Sequence, residues 1–151
     1  MQNNSIGSNN IAIGVNSGSI AGWLNITNQN NQIVIGNNVS ATASINIAWT
    51  TISDIRNKNV IGPVPLGLDF VKQINPIAFT MKTSREDDTP NGEVHYGFSA
   101  QELLAIEGDE PVIINKEDPN CLRYKDSDMT AVLVNAIKEL TTRLEALEGA
   151  K

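Results

Sequence analysis

Residues 1 to 52 contain no Asp, Glu, Lys or Arg, and every charged side chain of the 151-residue protein lies from Asp54 onward. The sequence is two materials joined end to end. The first is built from Asn, Gln, Ser, Thr, Gly, Ala and Ile. It carries short alternating apolar blocks at Ile11-Ala12-Ile13-Gly14 and, 22 residues later, at Ile33-Val34-Ile35-Gly36, with Ile6-Gly7 before them and Ile45-Asn46-Ile47-Ala48 after. Strands this short, punctuated by Gly and Asn at turn positions, cannot close a core in one chain of this length. They must stack on copies of themselves or on other chains. A solvated linker is the competing reading of polar, uncharged sequence. Against it stand nine isoleucines in the first 51 positions, with Trp23 and Trp49, which are too many apolar anchors for a linker. Neutrality also suits identical chains in register, since each ionised side chain would otherwise lie beside its own copy, whereas amide and hydroxyl ladders carry no such repulsion.

Bulk properties exclude several classes of function. A formal net charge of -6 and no clustered Lys and Arg argue against a nucleic-acid partner, which needs cations to displace phosphate counterions. No apolar run approaches the roughly 20 residues that span a bilayer, so no membrane partner is expected. Met1 to Asn10 lack a basic and an apolar region, so no secretory signal is predicted. The lone Cys121 cannot form an internal disulfide and reads as a small buried hydrophobe. No cofactor and no metal site are predicted.

From Ser53 the composition becomes that of a compact α+β domain, giving a division into residues 1–52 and 53–151. Leu66, Phe70, Val71 and Ile74 predict a short amphipathic helix bounded by Pro63, Pro65 and Pro76. Ile77, Phe79 and Met81 alternate like a strand. The polar run Ser84 to Gly92 predicts a turn into a second strand, Glu93 to Phe98. Ser99-Ala100-Gln101-Glu102 has the form of a capping box, so a helix should start there and stop near Gly108. Pro111 to Ile114 and Cys121 to Tyr124 read as two strands joined by the turn Asp118-Pro119-Asn120. The last helix is predicted over about 127–148, where Leu133, Ile137, Leu140, Leu144 and Leu147 follow the 4, 3, 4, 3 spacing of a coiled-coil seam, with Arg143 and Glu148 at flanking positions. Either the seam joins chains, or the helix packs on its own domain.

At the boundary stands Ser53-Asp54-Ile55-Arg56-Asn57-Lys58. A serine hydroxyl is a poor nucleophile until a base takes its proton, and a lysine serves as that base only when deprotonated. Moving a lysine pKa from about 10.4 toward neutrality means disfavouring the charged form by roughly 4 kcal/mol, which burial in a folded core can supply. Spacing alone leaves Ser53 readable as a turn or cap residue and Lys58 as a surface charge.

The same hexapeptide resembles the S-D-x-R-x-K opening of the peptidase S74 family, the intramolecular chaperone domains that end phage endosialidases, neck appendages and tail fibres. The resemblance continues through Leu68 to Lys82, similar to the family's L-x-x-I-x-x-L-x-P-x-x-F-x-x-K stretch. It includes Gly97-Phe98-Ser99-Ala100-Gln101-Glu102-Leu103, like its G-F-x-A-Q-E-x box, then Leu122-x-Tyr124 and Ala136-Ile137-Lys138-Glu139-Leu140. Ser99 departs from the bulky aliphatic residue usual there, and the Arg85 to Pro90 loop is strongly polar.

The resemblance implies Ser53 as nucleophile, Lys58 as general base and Ile52–Ser53 as the scissile bond, with Asp54 and Arg56 supporting the motif. It implies an α+β chaperone domain with a long C-terminal coiled-coil helix. Ahead of it would stand a β-repeat fibre shaft, a triple-stranded β-helix or solenoid-like structure, in an intertwined homotrimer. Its partners would be its own copies, the shaft as folding client, and a host surface receptor met through the shaft. It would be assembled in the host cytoplasm, work in the virion tail fibre or tailspike, and release its chaperone part after cleavage. The competing readings are a structural or receptor-binding fibre tip that never cleaves, and, less well founded, a hydrolase of outside substrates. His95 reads as a structural histidine in preference to an accessory group.

Overall fold

The computed structural model describes residues 7–20, 24–26, 29–37 and 44–150. Ile6 and Trp23 lie outside these described residues. The chain divides into two compact units, one of Met1–Ser44, Ile77–Gly97 and Lys116–Leu122, the other of Ile45–Pro76, Phe98–Asn115 and Arg123–Lys151.

In the first unit the two isoleucine blocks become strands β1 (Ile11–Ile13) and β4 (Ile33–Ile35), which pair with each other. Between them in sequence, β2 (Ser19–Ile20) and β3 (Leu24–Asn25) form an antiparallel pair. The β1–β4 pair is parallel, with Ile11 beside Ile33, Ala12 beside Val34 and Ile13 beside Ile35, an offset of 22 residues throughout. Each block ends on a glycine at positive φ, Gly14 at 115° and Gly36 at 85°, where a side chain would strain the backbone. Asparagines in left-handed conformation recur at the same offset, Asn9 at φ 57° and Asn31 at 58°. Amide and hydroxyl groups extend the ladder. Asn30 Oδ1 accepts from Ser8 N at 2.7 Å and Ser8 Oγ at 3.0 Å, Asn9 Nδ2 donates to Asn31 Oδ1 at 3.2 Å, and Asn37 Nδ2 donates to Val15 O at 2.8 Å. The enclosed core is small: Val34, Ile26 and Ser17 are buried, and the Ser17 hydroxyl donates to Val34 O at 3.0 Å. The repeat thus stacks on itself within one chain. The third block, Ile45 to Ala48, forms no strand and is exposed.

The rest of this unit is a hairpin, β5 (Ile77–Lys82) against β6 (Pro90–Gly97), antiparallel with a register shift between Phe79 and Met81. Phe79 and His95 stand opposite one another with ring centroids 5.7 Å apart, so the histidine has a packing partner. The polar loop is tied by an ion pair between Lys82 and Asp88 and by Asp87 Oδ1 accepting from Thr89 N at 2.9 Å.

The second unit holds three helices and a short ladder: α1 (Leu68–Val71), α2 (Ala100–Glu107), β7 (Ile114–Asn115) paired antiparallel with β8 (Arg123–Tyr124), and α3 (Asp126–Glu148). The proline-bounded helix is shorter than Leu66 and Ile74 suggest, because Gly67 precedes it and a turn follows Val71. Helix α2 starts where Ser99 Oγ accepts from Glu102 N at 3.3 Å, and ends on Gly108 at φ 84°. Glu107 then turns its carboxylate onto the next loop and accepts from the backbone N–H of Val112, Ile113 and Ile114 at 2.9, 2.7 and 2.9 Å. The core is Phe70, Leu103, Ile113, Ile114, Met129, Val132 and Ala136, all buried.

Helix α3 divides its face by spacing. Met129, Val132 and Ala136 point into the core at the three- and four-residue spacing of one helix face. Leu133, Ile137, Leu140, Leu144 and Leu147 lie on the neighbouring strip and are 41% to 70% exposed. Much of the seam's apolar surface is therefore left uncovered by its own unit.

Candidate functional site

Between Ser53 and Lys58 the chain makes a single 3₁₀ turn, Ile55–Asn57. Its start is Asp54, whose side chain accepts from Arg56 N at 2.9 Å, leaving the rest of the carboxylate to a two-pronged pair with the Arg56 guanidinium. The turn closes with Asn57 N donating to Asp54 O at 3.0 Å and Lys58 N to Ile55 O at 3.1 Å. A tight turn of this length brings the chain back on itself, so residues five apart meet: Lys58 Nζ lies 2.6 Å from Ser53 Oγ. Asp54 and Arg56 thus shape the turn without touching either group of the pair. Their mutual hydrogen bonds hold the Asp54 carboxyl below the usual carboxylate range and raise the Arg56 guanidinium.

The sequence ties this pair to burial in a folded core, and here the structure differs. Ser53 and Lys58 are both exposed. The turn sits on an extended arm whose apolar residues near it are largely exposed, Ile52 at 84% and Ile61 at 96%. One chain brings the two groups together but does not bury them.

What fixes the arm was not singled out in the sequence. Asn135 and Glu139, one turn apart on α3, hold residues Val64 to Leu68 against the helix. Asn135 Nδ2 donates to Leu66 O at 2.9 Å, Val64 O at 3.3 Å and Glu139 Oε1 at 3.2 Å, while Glu139 Oε2 accepts from Leu68 N at 2.9 Å. Gly67 makes this possible, since a Cβ there would lie 2.0 Å from Glu139 Oε1. Beside this latch an apolar cleft of about 270 Å³ remains, bordered by Ile61, Val64, Leu66, Val112 and Val132. Glu139 stands in the Ala136 to Leu140 block, so its sequence position was marked while its role was not. The five seam residues, four leucines and Ile137, lie on the same helix, away from the Ser53–Lys58 pair in sequence, and are exposed.

No curated protein and no solved structure matches the chain. Residues 53–113 match Peptidase_S74, chaperone of endosialidase. The match opens on Ser53 and takes in the whole 3₁₀ turn, the arm, α1 and α2. Over residues 53–113, a stretch that begins one position before the first charged side chain, the chain is similar to the Peptidase_S74 family, chaperone of endosialidase.

Proposed function

We propose that this chain is an intramolecular chaperone which assembles as a homotrimer, holds three copies of residues 1–52 level, and then cuts the Ile52–Ser53 bond with Ser53 as nucleophile and Lys58 as base. The family match over residues 53–113 supports the chaperone role. The observation that carries the cleavage is the 2.6 Å separation of Lys58 Nζ and Ser53 Oγ across one capped turn. A base must stand within about 2.6–3.2 Å of the proton it takes, and this one does.

A lysine serves as the base only when deprotonated, which burial of the amine favours. With Lys58 exposed in one chain, that burial comes from neighbouring copies, which makes assembly the trigger. Ser53 Oγ then attacks the Ile52 carbonyl carbon as its proton passes to Lys58 Nζ. The Ile52–Ser53 C–N bond breaks, an ester forms on Ser53 Oγ, and Lys58 returns the proton to the departing Ser53 nitrogen. One water hydrolyses the ester, leaving an Ile52 carboxylate and a free Ser53 hydroxyl. Each chain is cut once.

The homotrimer rests on the exposed seam of α3, which offers Leu133, Ile137, Leu140, Leu144 and Leu147 to its own copies. The setting that fits is a phage tail fibre or tailspike, whose shaft is the client and meets the host surface. Holding shaft ends level addresses a slow step, because contacts between chains far apart in sequence nucleate poorly and misalign easily. Once the chaperone is gone, the shaft persists by the height of its unfolding barrier.

The test is mass spectrometry of the expressed protein after denaturation. Fragments 1–52 and 53–151, lost in Ser53→Ala, are the expected result. An intact wild-type oligomer would point instead to a non-cleaving fibre tip, the reading that the exposure of Lys58 favours.

A further inference from the structure

The 22-residue coil turns its larger apolar residues the wrong way for a finished fold. Alternation along β1 and β4 sends Val34 into the small core and leaves Ala12 half-buried on the same side. Ile11, Ile13, Ile33 and Ile35 face outward, each between 51% and 68% exposed. The parallel register sets Ile11 beside Ile33 and Ile13 beside Ile35, so the four make a two-by-two apolar patch on strands about 4.8 Å apart. A coil complete in itself would put isoleucine inside and the small residue outside.

From this we infer that the isoleucine face of β1 and β4 is an interface, and that its occupant is the same face of a second copy of this chain. Two observations choose a copy over an unlike partner. The segment that carries the patch has no ionisable side chain, so it offers no charged rim by which an unlike protein would be recognised, whereas copies in register meet with no like-charge repulsion. The polar groups at the strand ends are also already engaged within the chain: Ile11 N donates to Gln32 O at 2.8 Å, Gly36 N to Ile13 O at 2.9 Å, and Gln32 N to Asn10 Oδ1 at 2.9 Å. Gln32 Nε2 reaches Glu117 at 3.4 Å, but residue 32 shares the alternation of Val34 and points away from the patch. The patch itself offers apolar side chain. Each chain therefore coils on itself first, and the coils then meet through isoleucine faces without exchanging strands. This inference shares with the proposed function only the presence of more than one copy, and it does not depend on cleavage.

The test uses the full chain with Ser53→Ala, so that scission plays no part, and Cys121→Ser, so that one thiol can be placed at will. Nitroxide labels on Ile13→Cys, Ile35→Cys and, for comparison, Glu86→Cys in the polar loop are read by electron paramagnetic resonance beside light scattering. Spin-exchange broadening at positions 13 and 35, with a sharp spectrum at 86, is the expected result. Sharp spectra at all three in an oligomeric protein overturn the isoleucine interface and leave the chaperone reading standing, while a monomeric protein overturns both. Should labelling disturb the coil, the unlabelled Ile13→Cys thiol gives a second measurement. Its reaction with a polar thiol reagent should be about tenfold or more slower than that of Glu86→Cys, as for a group reached only through local opening. Equal rates in an oligomer overturn the interface.

Discussion

Glu139 Oε2 accepts a hydrogen bond from the backbone N–H of Leu68 at 2.9 Å, across 71 positions of sequence, and its carboxylate fills the space that any side chain at Gly67 would need. Gly67→Ala should push the carboxylate aside and cost the arm its hold on α3, a loss of about 1.5–3 kcal/mol for hydrogen bonds to a charged group. Chemical denaturation should show a lower midpoint for Gly67→Ala and Glu139→Ala alike, and little further loss when the two are combined, because both remove the same contact.

Glu107 should matter to stability more than its surface location suggests. Its carboxylate accepts from three successive backbone N–H groups, and two of those belong to the fully buried Ile113 and Ile114. Glu107→Ala leaves those donors unpaired, for a loss of about 2–3 kcal/mol in a denaturant titration. Glu107→Gln should fall between it and the wild type.

If α3 joins copies of the chain as proposed, its seam should separate folding from assembly. Leu140 and Leu144 are exposed in one chain, so Leu140→Asp with Leu144→Asp should leave the far-UV circular dichroism of the domain unchanged while light scattering reports dissociation. If assembly provides the cover for Lys58, the same variant should also stop cleavage. A dissociated variant that still cuts itself would separate scission from oligomerisation.

At Asp54 the expected pH dependence has a definite sign. Its carboxyl is held low by the Arg56 side chain, so the turn is favoured above the ordinary carboxylate value of 3.8 and loses that support as pH falls through the depressed value. Carbon NMR of the Asp54 carboxyl should titrate below 3.8, and Arg56→Ala should bring it back up.

Tyr124 gives the alkaline counterpart. Burial first, and then the charge of Asp126, raise its phenol above the ordinary 10.0. Its contribution is thus intact below pH 10 and is lost as pH rises through the raised value. Ultraviolet titration should show a late tyrosine transition that disappears in Tyr124→Phe.

Local signals account for what could be read in the sequence. The 4, 3, 4, 3 spacing marks α3 and its exposed strip, and Ser99 and Gly108 bracket α2 because capping needs only neighbouring residues. The Ser53 to Lys58 meeting is legible for the same reason, being made by one turn. Contacts that join distant residues were not. Gly67 and Glu139 carry no mark in sequence of their mutual fit, and the extent of α1 depends on it. The 22-residue spacing of the isoleucine blocks was plain, but not that the blocks would pair inside one chain, nor that Ile45 to Ala48 would remain outside the ladder. The exposure of Lys58 was also out of reach, because burial depends on residues distant in sequence.

Because Ile11, Ala12 and Ile13 lie beside the residues 22 positions further on, the length of chain between the two blocks sets their register. Adding or removing one residue between Gly14 and Gln32 would slip β4 by a step, turning Val34 out and isoleucine in, and carrying Asn31 away from Asn9. Changes in length that keep both the inner core and the outer face come only in multiples of a turn, so this part of the molecule can be extended stepwise and not trimmed gradually.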